Sequence, residues 1–188
     1  IPNMTVLSPA DCAEAIKMME AMAKINGPVY MRLCGTTAIP TVYADDYNFE
    51  IGKAVTLQSG VKIALIATGV TMVSEAMKTA KQLEETIGIK CTVVNMHTIK
   101  PIDAECITSL AENHDILVTI EEHNTIGGLG SAVAEVVGRK KHNCRQVFIG
   151  INDTNFKMGS RQYMLNQAGL TSEHMFEKIA KEVGELHD

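Results

Sequence analysis

A continuous apolar run, Ile63-Ala64-Leu65-Ile66-Ala67, constrains this chain more than any other feature. An alternating pattern marks a strand with one wet face. An unbroken run of strand length marks one covered on both faces, as in a parallel sheet with helices on each side. The flanking sequence agrees. Thr68-Gly69 turns into a helix with Val73, Ala76, Met77, Ala80 and Leu83 inward, Gly88 ends it, and Ile89 to Met96 reads as the next strand. His97 to Asp103 is a turn, in which His97 and Lys100 take packing or capping roles, before a helix from about Asp103 to Glu112. Ile116 to Ile120 is a third strand, and Val147 to Ile151 a fourth. Between them a glycine-rich stretch opens a helix with Ala132, Val133, Val136 and Val137 inward. Two short helices follow, the last with Met175, Phe176, Ile179 and Val183 on one stripe. Strands alternating with helices define the fold class: α/β, a mostly parallel sheet flanked by helices.

A smaller β-α-β unit precedes this series. Met4 to Leu7 and Val29 to Leu33 are strand candidates. The helix between them takes Ser8-Pro9 as cap and first residue, with Cys12, Ala15, Ile16, Met19, Met22 and Ala23 as its apolar stripe. One such unit cannot cover its own sheet edges, so it reads as the end of a second α/β domain whose remainder lies elsewhere. Ile1-Pro2-Asn3 reads like an interior stretch of a longer chain. From residue 35 a polar segment with Pro40 and Asp45-Asp46 breaks the periodicity and marks a linker.

With 188 residues, the chain has room for one domain or one and a fraction. A formal charge of -5 without clustered Lys or Arg argues against a nucleic-acid partner. No apolar run reaches membrane-spanning length, so no membrane is expected. Five widely spaced cysteines without C-x-x-C suggest neither a disulfide framework nor zinc, and point to a reducing, cytoplasmic setting. The eleven methionines read as core filler.

Ligands of open parallel sheets bind beyond the carboxyl ends of the strands. Two places qualify. Glu121-Glu122-His123-Asn124 is followed by Gly127-Gly128-Leu129-Gly130 at a helix start, where backbone N–H groups suit an anion. Nucleotide-binding spacings are absent, so Glu121, Glu122, Gly127, Gly128 and Gly130 are expected to form an interface or structural loop, the acids capping the helix or pairing across an interface. His123 is a candidate substrate contact. The second place is Arg32, at a strand end facing a Gly/Thr-rich loop, a candidate for an anionic ligand. No catalytic triad or metal-ligand spacing can be assembled, so no catalytic and no metal residue is assigned.

These segments together resemble the C-terminal part of transketolase, in particular the separately encoded C-terminal section of split transketolases. The resemblance rests on Gly27-Pro28-Val29-Tyr30-Met31-Arg32-Leu33, Phe49 to Ala54, Ile66-Ala67-Thr68-Gly69, Val94 to Asp103, and Glu121 to Val133, in that order. It implies an enzyme that transfers two-carbon ketol units between sugar phosphates with thiamine diphosphate and magnesium. Residues 1–34 would be the end of the pyrimidine-binding domain, 35–48 a linker, and 49–188 the C-terminal domain. It further implies no cofactor on this portion alone, which would be inactive by itself. The expected partners are a diphosphate-binding N-terminal section or subunit, and a second copy forming a homodimer. A 1-deoxy-xylulose-5-phosphate synthase, the beta subunit of a 2-oxoacid dehydrogenase, and a dimerisation or scaffold module without ligand are the alternatives. One departure stands out: family members place a substrate-phosphate arginine where this chain has Gly35. The resemblance therefore implies a weakened or altered donor preference.

Overall fold

The computed structural model describes residues 1–35 and 39–184. Its centre is a five-stranded sheet built from β3 (Val55–Gln58), β4 (Lys62–Thr68), β5 (Thr92–Asn95), β7 (His114–Asn124) and β8 (Arg145–Ile151), in the order β3-β5-β4-β7-β8. β4 pairs in parallel with both β5 and β7, β7 with β8, and only the edge strand β3 runs antiparallel.

The unbroken apolar run lies in β4, and its alternate residues serve two cores. Ile63, Leu65 and Ala67 point to one face, under α2 (Val70–Ile87) and α6 (Ser172–Gly184). Ala64 and Ile66 point to the other, under α3 (Ala104–Asn113) and α4 (Leu129–Val137). Every one of the five is at most 1% exposed, which explains why the run never alternates. Gly88 closes α2 in the left-handed region at φ 71, its N–H returning to the Glu84 carbonyl.

The amino-terminal unit comprises β1 (Thr5–Leu7), α1 (Cys12–Met22) and β2 (Val29–Met31). β1 pairs in parallel with β2 on one side and antiparallel with β6 (Thr98–Lys100) on the other. The edge of β1 expected to need an outside neighbour is thus covered by a strand from later in this chain. The residues read as the His97–Asp103 turn contain that strand.

Helix α1 corrects two expectations. Its cap is Asp11, not Ser8: Asp11 Oδ1 accepts from Glu14 N–H at 2.9 Å, and Oδ2 accepts from the Val42 and Tyr43 N–H groups. Its inward face is Glu14 and Met18, whereas Ile16 and Met19 of the expected stripe are about three-fifths exposed, at 61% and 60%. The physical reason is that α1 docks on the main body through polar groups. The buried Glu14 carboxylate accepts from Ala10 N–H (2.6 Å), Tyr47 O–H (2.6 Å) and Asn95 Nδ2 (2.9 and 3.0 Å). Burial raises its pKa while these donors work against that rise.

The methionines divide in the same way. Met18, Met72, Met96 and Met175 are fully buried, but Met19, Met77, Met158 and Met164 are exposed, so core filler describes only some of them. Met77 also leaves the inward stripe assigned to α2. His97 is wholly buried against the Phe49 ring, and burial lowers its pKa to about 4, so it packs as a neutral side chain.

Candidate functional site

The parallel pairing of β4 with β7 places Thr68 beside Glu121, so two strand ends and the helices that follow them open at one edge of the sheet. Four groups singled out in the sequence meet there. Arg32, just beyond β2, donates from Nη2 to the Glu122 carbonyl at 2.8 Å, tying the amino-terminal unit to β7. The Glu122 carboxylate accepts from Arg161 at the start of α5 (Arg161–Gln167). Glu121 turns inward. Half-exposed His123 lies over it, its Nδ1 4.0 Å from Glu121 Oε2 and 2.9 Å from the Asn124 carbonyl oxygen.

Glu121 has a defined task. Its side chain is 2% exposed, and its two oxygens accept from Leu129 N–H (2.6 Å) and Gly130 N–H (2.8 Å). The carboxylate therefore occupies the amino terminus of α4, where the helix dipole favours negative charge. Burial raises its pKa, with the Gly130 and Leu129 N–H groups acting in the opposite direction. The glycines follow from this close approach. A Cβ on Gly128 would lie 1.9 Å from Glu121 Oε2, and one on Gly130 would lie 2.4 Å from the Phe148 ring. Gly127 is required for another reason, a φ of 78.

Two cavities flank Arg32. One, about 200 Å³, is lined by Tyr30, Ile99, His123 and Gly128 among others. The other, about 250 Å³, is walled by Ser8, Arg32, Gly35, Thr68, Gly69 and Arg161. Arg161 and Thr68 were not singled out in the sequence. Arg161 opens a short helix without a motif, and Thr68 entered only as a turn residue and as part of the Ile66-Ala67-Thr68-Gly69 stretch. No heavy atom of the described residues lies within 4 Å of where a Cβ on Gly35 would be, so among them a larger side chain would fit there.

The groups gathered at this edge are suited to recognition: the guanidinium groups of Arg32 and Arg161 and the half-exposed imidazole of His123. The described residues lining these cavities hold no nucleophile hydrogen-bonded to a base. Among the described residues, no group of three or more His, Cys, Asp or Glu side chains is placed to hold a metal ion. They do not fit a diphosphate–magnesium site, and no step of cofactor chemistry is assigned to them. No described helix is long and apolar enough to cross a membrane.

The α/β fold, with its mostly parallel sheet flanked by helices, agrees with what known proteins show. Residues 52–175 match the transketolase C-terminal domain family. A Methanocaldococcus jannaschii protein named for a transketolase C-terminal section is 39% identical over 184 residues, 97% of this chain and 57% of that protein. One of the subunits of the apulose-4-phosphate transketolase of Phocaeicola vulgatus is 36% identical over 173 residues, covering 92% of this chain and 54% of its own length. 1-Deoxy-D-xylulose-5-phosphate synthases are also among the relatives. A solved split-gene transketolase, described as an inactive beta4 tetramer, superposes with a TM-score of 0.89 at 39% identity, over 96% of this chain and 58% of that one. The chain belongs to the transketolase C-terminal domain family. It spans a little over half the length of these split-transketolase relatives.

Proposed function

We propose that this chain is the C-terminal part of a thiamine diphosphate-dependent, transketolase-type transferase that moves two-carbon ketol units between sugar phosphates. The observation that carries the reading is the extent of the match: 97% of this chain aligns with 57% of a transketolase C-terminal section. Residues 1–34 would then close the pyrimidine-binding domain, 35–48 link it to the body, and 49–188 form the C-terminal domain. The exposed Ile16 and Met19 on α1 support this division, since an apolar helix face beside a three-stranded sheet is what the rest of such a domain would cover. The partner is a diphosphate-binding N-terminal section, the assembly contains two copies of each, and it works in the cytoplasm.

In this reading the chain's own residues orient rather than react. Arg32 and Glu122 fix the amino-terminal unit against the body, and Arg32 and His123 are substrate-facing candidates at the strand end. Gly35 leaves the usual phosphate grip unfilled, so donor preference differs from that of enzymes carrying arginine there. A 1-deoxy-xylulose-5-phosphate synthase is the second reading, favoured by the relatives of that name.

Calorimetry separates the enzyme reading from a scaffold without ligand. Titrating thiamine diphosphate with magnesium into this chain alone should give no saturable heat. With the diphosphate-binding section and the complete pyrimidine domain present, saturable heat should appear. Its absence in the complete assembly would sink the proposal.

A further inference from the structure

Three parts of the chain meet at one carboxyl group. Glu14, on α1, accepts from the Ala10 N–H (2.6 Å) and from the Tyr47 O–H (2.6 Å) of the segment 39–48. It also accepts from Asn95 Nδ2 of β5, at 2.9 and 3.0 Å. Glu14 and Asn95 are both fully buried. Asp11, the cap of α1, fastens the same segment through the Val42 and Tyr43 N–H groups. These bonds seat the amino-terminal unit on the body, and Glu14 is their common point.

No cation pairs with this carboxyl group among the described residues. Lys17, one turn along α1, is bonded instead to Asp46 at 2.5 Å and lies over the Tyr47 ring. The charges around Glu14 are thus Asp11 and Lys17, from α1 and its cap, and Asp46 from the segment 39–48. That segment adds the phenols of Tyr43 and Tyr47, and β5 contributes only the neutral Asn95. Burial is the largest influence on Glu14 and favours its protonated form. The Tyr47, Ala10 and Asn95 donors oppose it, and the Asp11 charge adds to it.

The hydrogen bonding carries an independent mark. Asn95 Nδ2 has two hydrogens but three acceptors, the two Glu14 oxygens and the Tyr43 oxygen at 2.8 Å. Its Oδ1 is buried without a partner among the described residues. Turning the amide over exchanges its oxygen and nitrogen without changing its shape. Oδ1 then stands within reach of Glu14 and Tyr43, placed to accept from a protonated Glu14 and from the Tyr43 O–H. Each orientation leaves one amide atom unmet, so the charge on Glu14 decides between them.

We propose that Glu14 is a proton-operated lock between α1, the segment 39–48 and β5. With its proton, Glu14 donates to the turned Asn95 Oδ1, and the amino-terminal unit stays seated. When the proton leaves to water, the carboxylate becomes a buried charge with no counter-ion in contact, the amide turns back, and α1 loosens from the body. The consequence reaches the candidate site, because the same unit carries Arg32 to the end of β7. The inference does not rest on the ketol-transfer reading, since every group named belongs to this chain.

Linkage fixes the sign. A carboxyl group whose folded pKa lies above its unfolded one contributes stability that is fully present below the unfolded pKa and is lost as pH rises through the folded pKa. Between the two, the opening equilibrium of α1 should rise up to about tenfold per pH unit. The test follows the full chain, carboxyl-labelled at glutamate, by NMR across pH. The Glu14 signal, assigned by its loss in Glu14→Gln, should titrate at higher pH than the exposed glutamates. Amide exchange, corrected for intrinsic rates, is followed in parallel. Protection of α1 relative to β4 should fall with rising pH in the wild type and stay level in Glu14→Gln. Should that variant fail to fold, Tyr47→Phe assigns the signal by shifting it, and the wild-type titration decides. Glu14 titrating with or below the exposed glutamates, or α1 protection with the same pH dependence in both proteins, would overturn the lock.

Discussion

Glu14→Ala is expected to cost about 4 kcal/mol of unfolding free energy, among the largest effects of any single change in this chain. The carboxylate is fully buried and is the common acceptor for Ala10 N–H, Tyr47 O–H and the Asn95 side-chain amide. Removing it strands these donors where water cannot replace the lost partner, at about 1–3 kcal/mol each before relaxation. Glu14→Gln keeps the volume and one acceptor, so it should cost about half as much. Tyr47→Phe removes a single donor and should cost about 1 kcal/mol. The order Ala, then Gln, then the tyrosine change is the checkable content, read from denaturant midpoints at constant slope. If Glu14→Ala were as stable as the wild type, α1 would not be held by this cluster. Its position between α1 and β5 predicts a further signature: amide protection in α1 should fall before protection in β4 or β7.

Gly128→Ala is the second large effect, about 3 kcal/mol or more, and its mechanism makes it separable from ordinary overpacking. The added carbon would lie 1.9 Å from Glu121 Oε2, so either the backbone or the α4 cap must give way. Glu121→Ala alone strands the Leu129 and Gly130 N–H groups, also at about 3 kcal/mol. In the double variant the clash with the carboxylate is gone. The combined loss should fall short of the sum by at least about 1 kcal/mol, a coupling that a double-mutant cycle reads directly. Strict additivity would mean that Gly128 is needed for some other reason. Relief will be incomplete, because the same carbon would approach the Asn124 carbonyl oxygen at 2.9 Å.

These two clusters mark where the sequence was readable and where it was not. The central strand β4 was legible because five consecutive apolar residues admit one environment, and the left-handed Gly88 marked the end of α2 for an equally local reason. β3 and β6 were missed, since strands of four and three residues carry too little periodicity to rise above loop. The α1 stripe misled for a deeper reason. Apolar spacing identifies the face that must be covered somewhere, but says nothing about which neighbour this chain supplies, and here the chain supplies a polar cluster to the opposite face. At the site, Arg32 and the Glu121–Gly130 segment were visible as a strand end and a glycine-rich helix start. That Thr68, Ser8 and Arg161 share a cavity with Arg32 depends on residues up to 153 positions apart meeting at one sheet edge. No local pattern records such a meeting.

The central claim is that these residues orient and support a transfer reaction whose reacting groups lie outside them. Two-carbon transfer from a ketose phosphate to an aldose phosphate, followed by product formation, tests it most directly. The protein carrying this sequence should be assayed with thiamine diphosphate and magnesium, alone and with its diphosphate-binding section. The expected result is no turnover from residues 1–188 alone and turnover once the complete pyrimidine domain and the diphosphate-binding section are both supplied. Turnover by residues 1–188 alone, or none from the complete assembly with any ketose phosphate or 2-oxoacid donor, would contradict it.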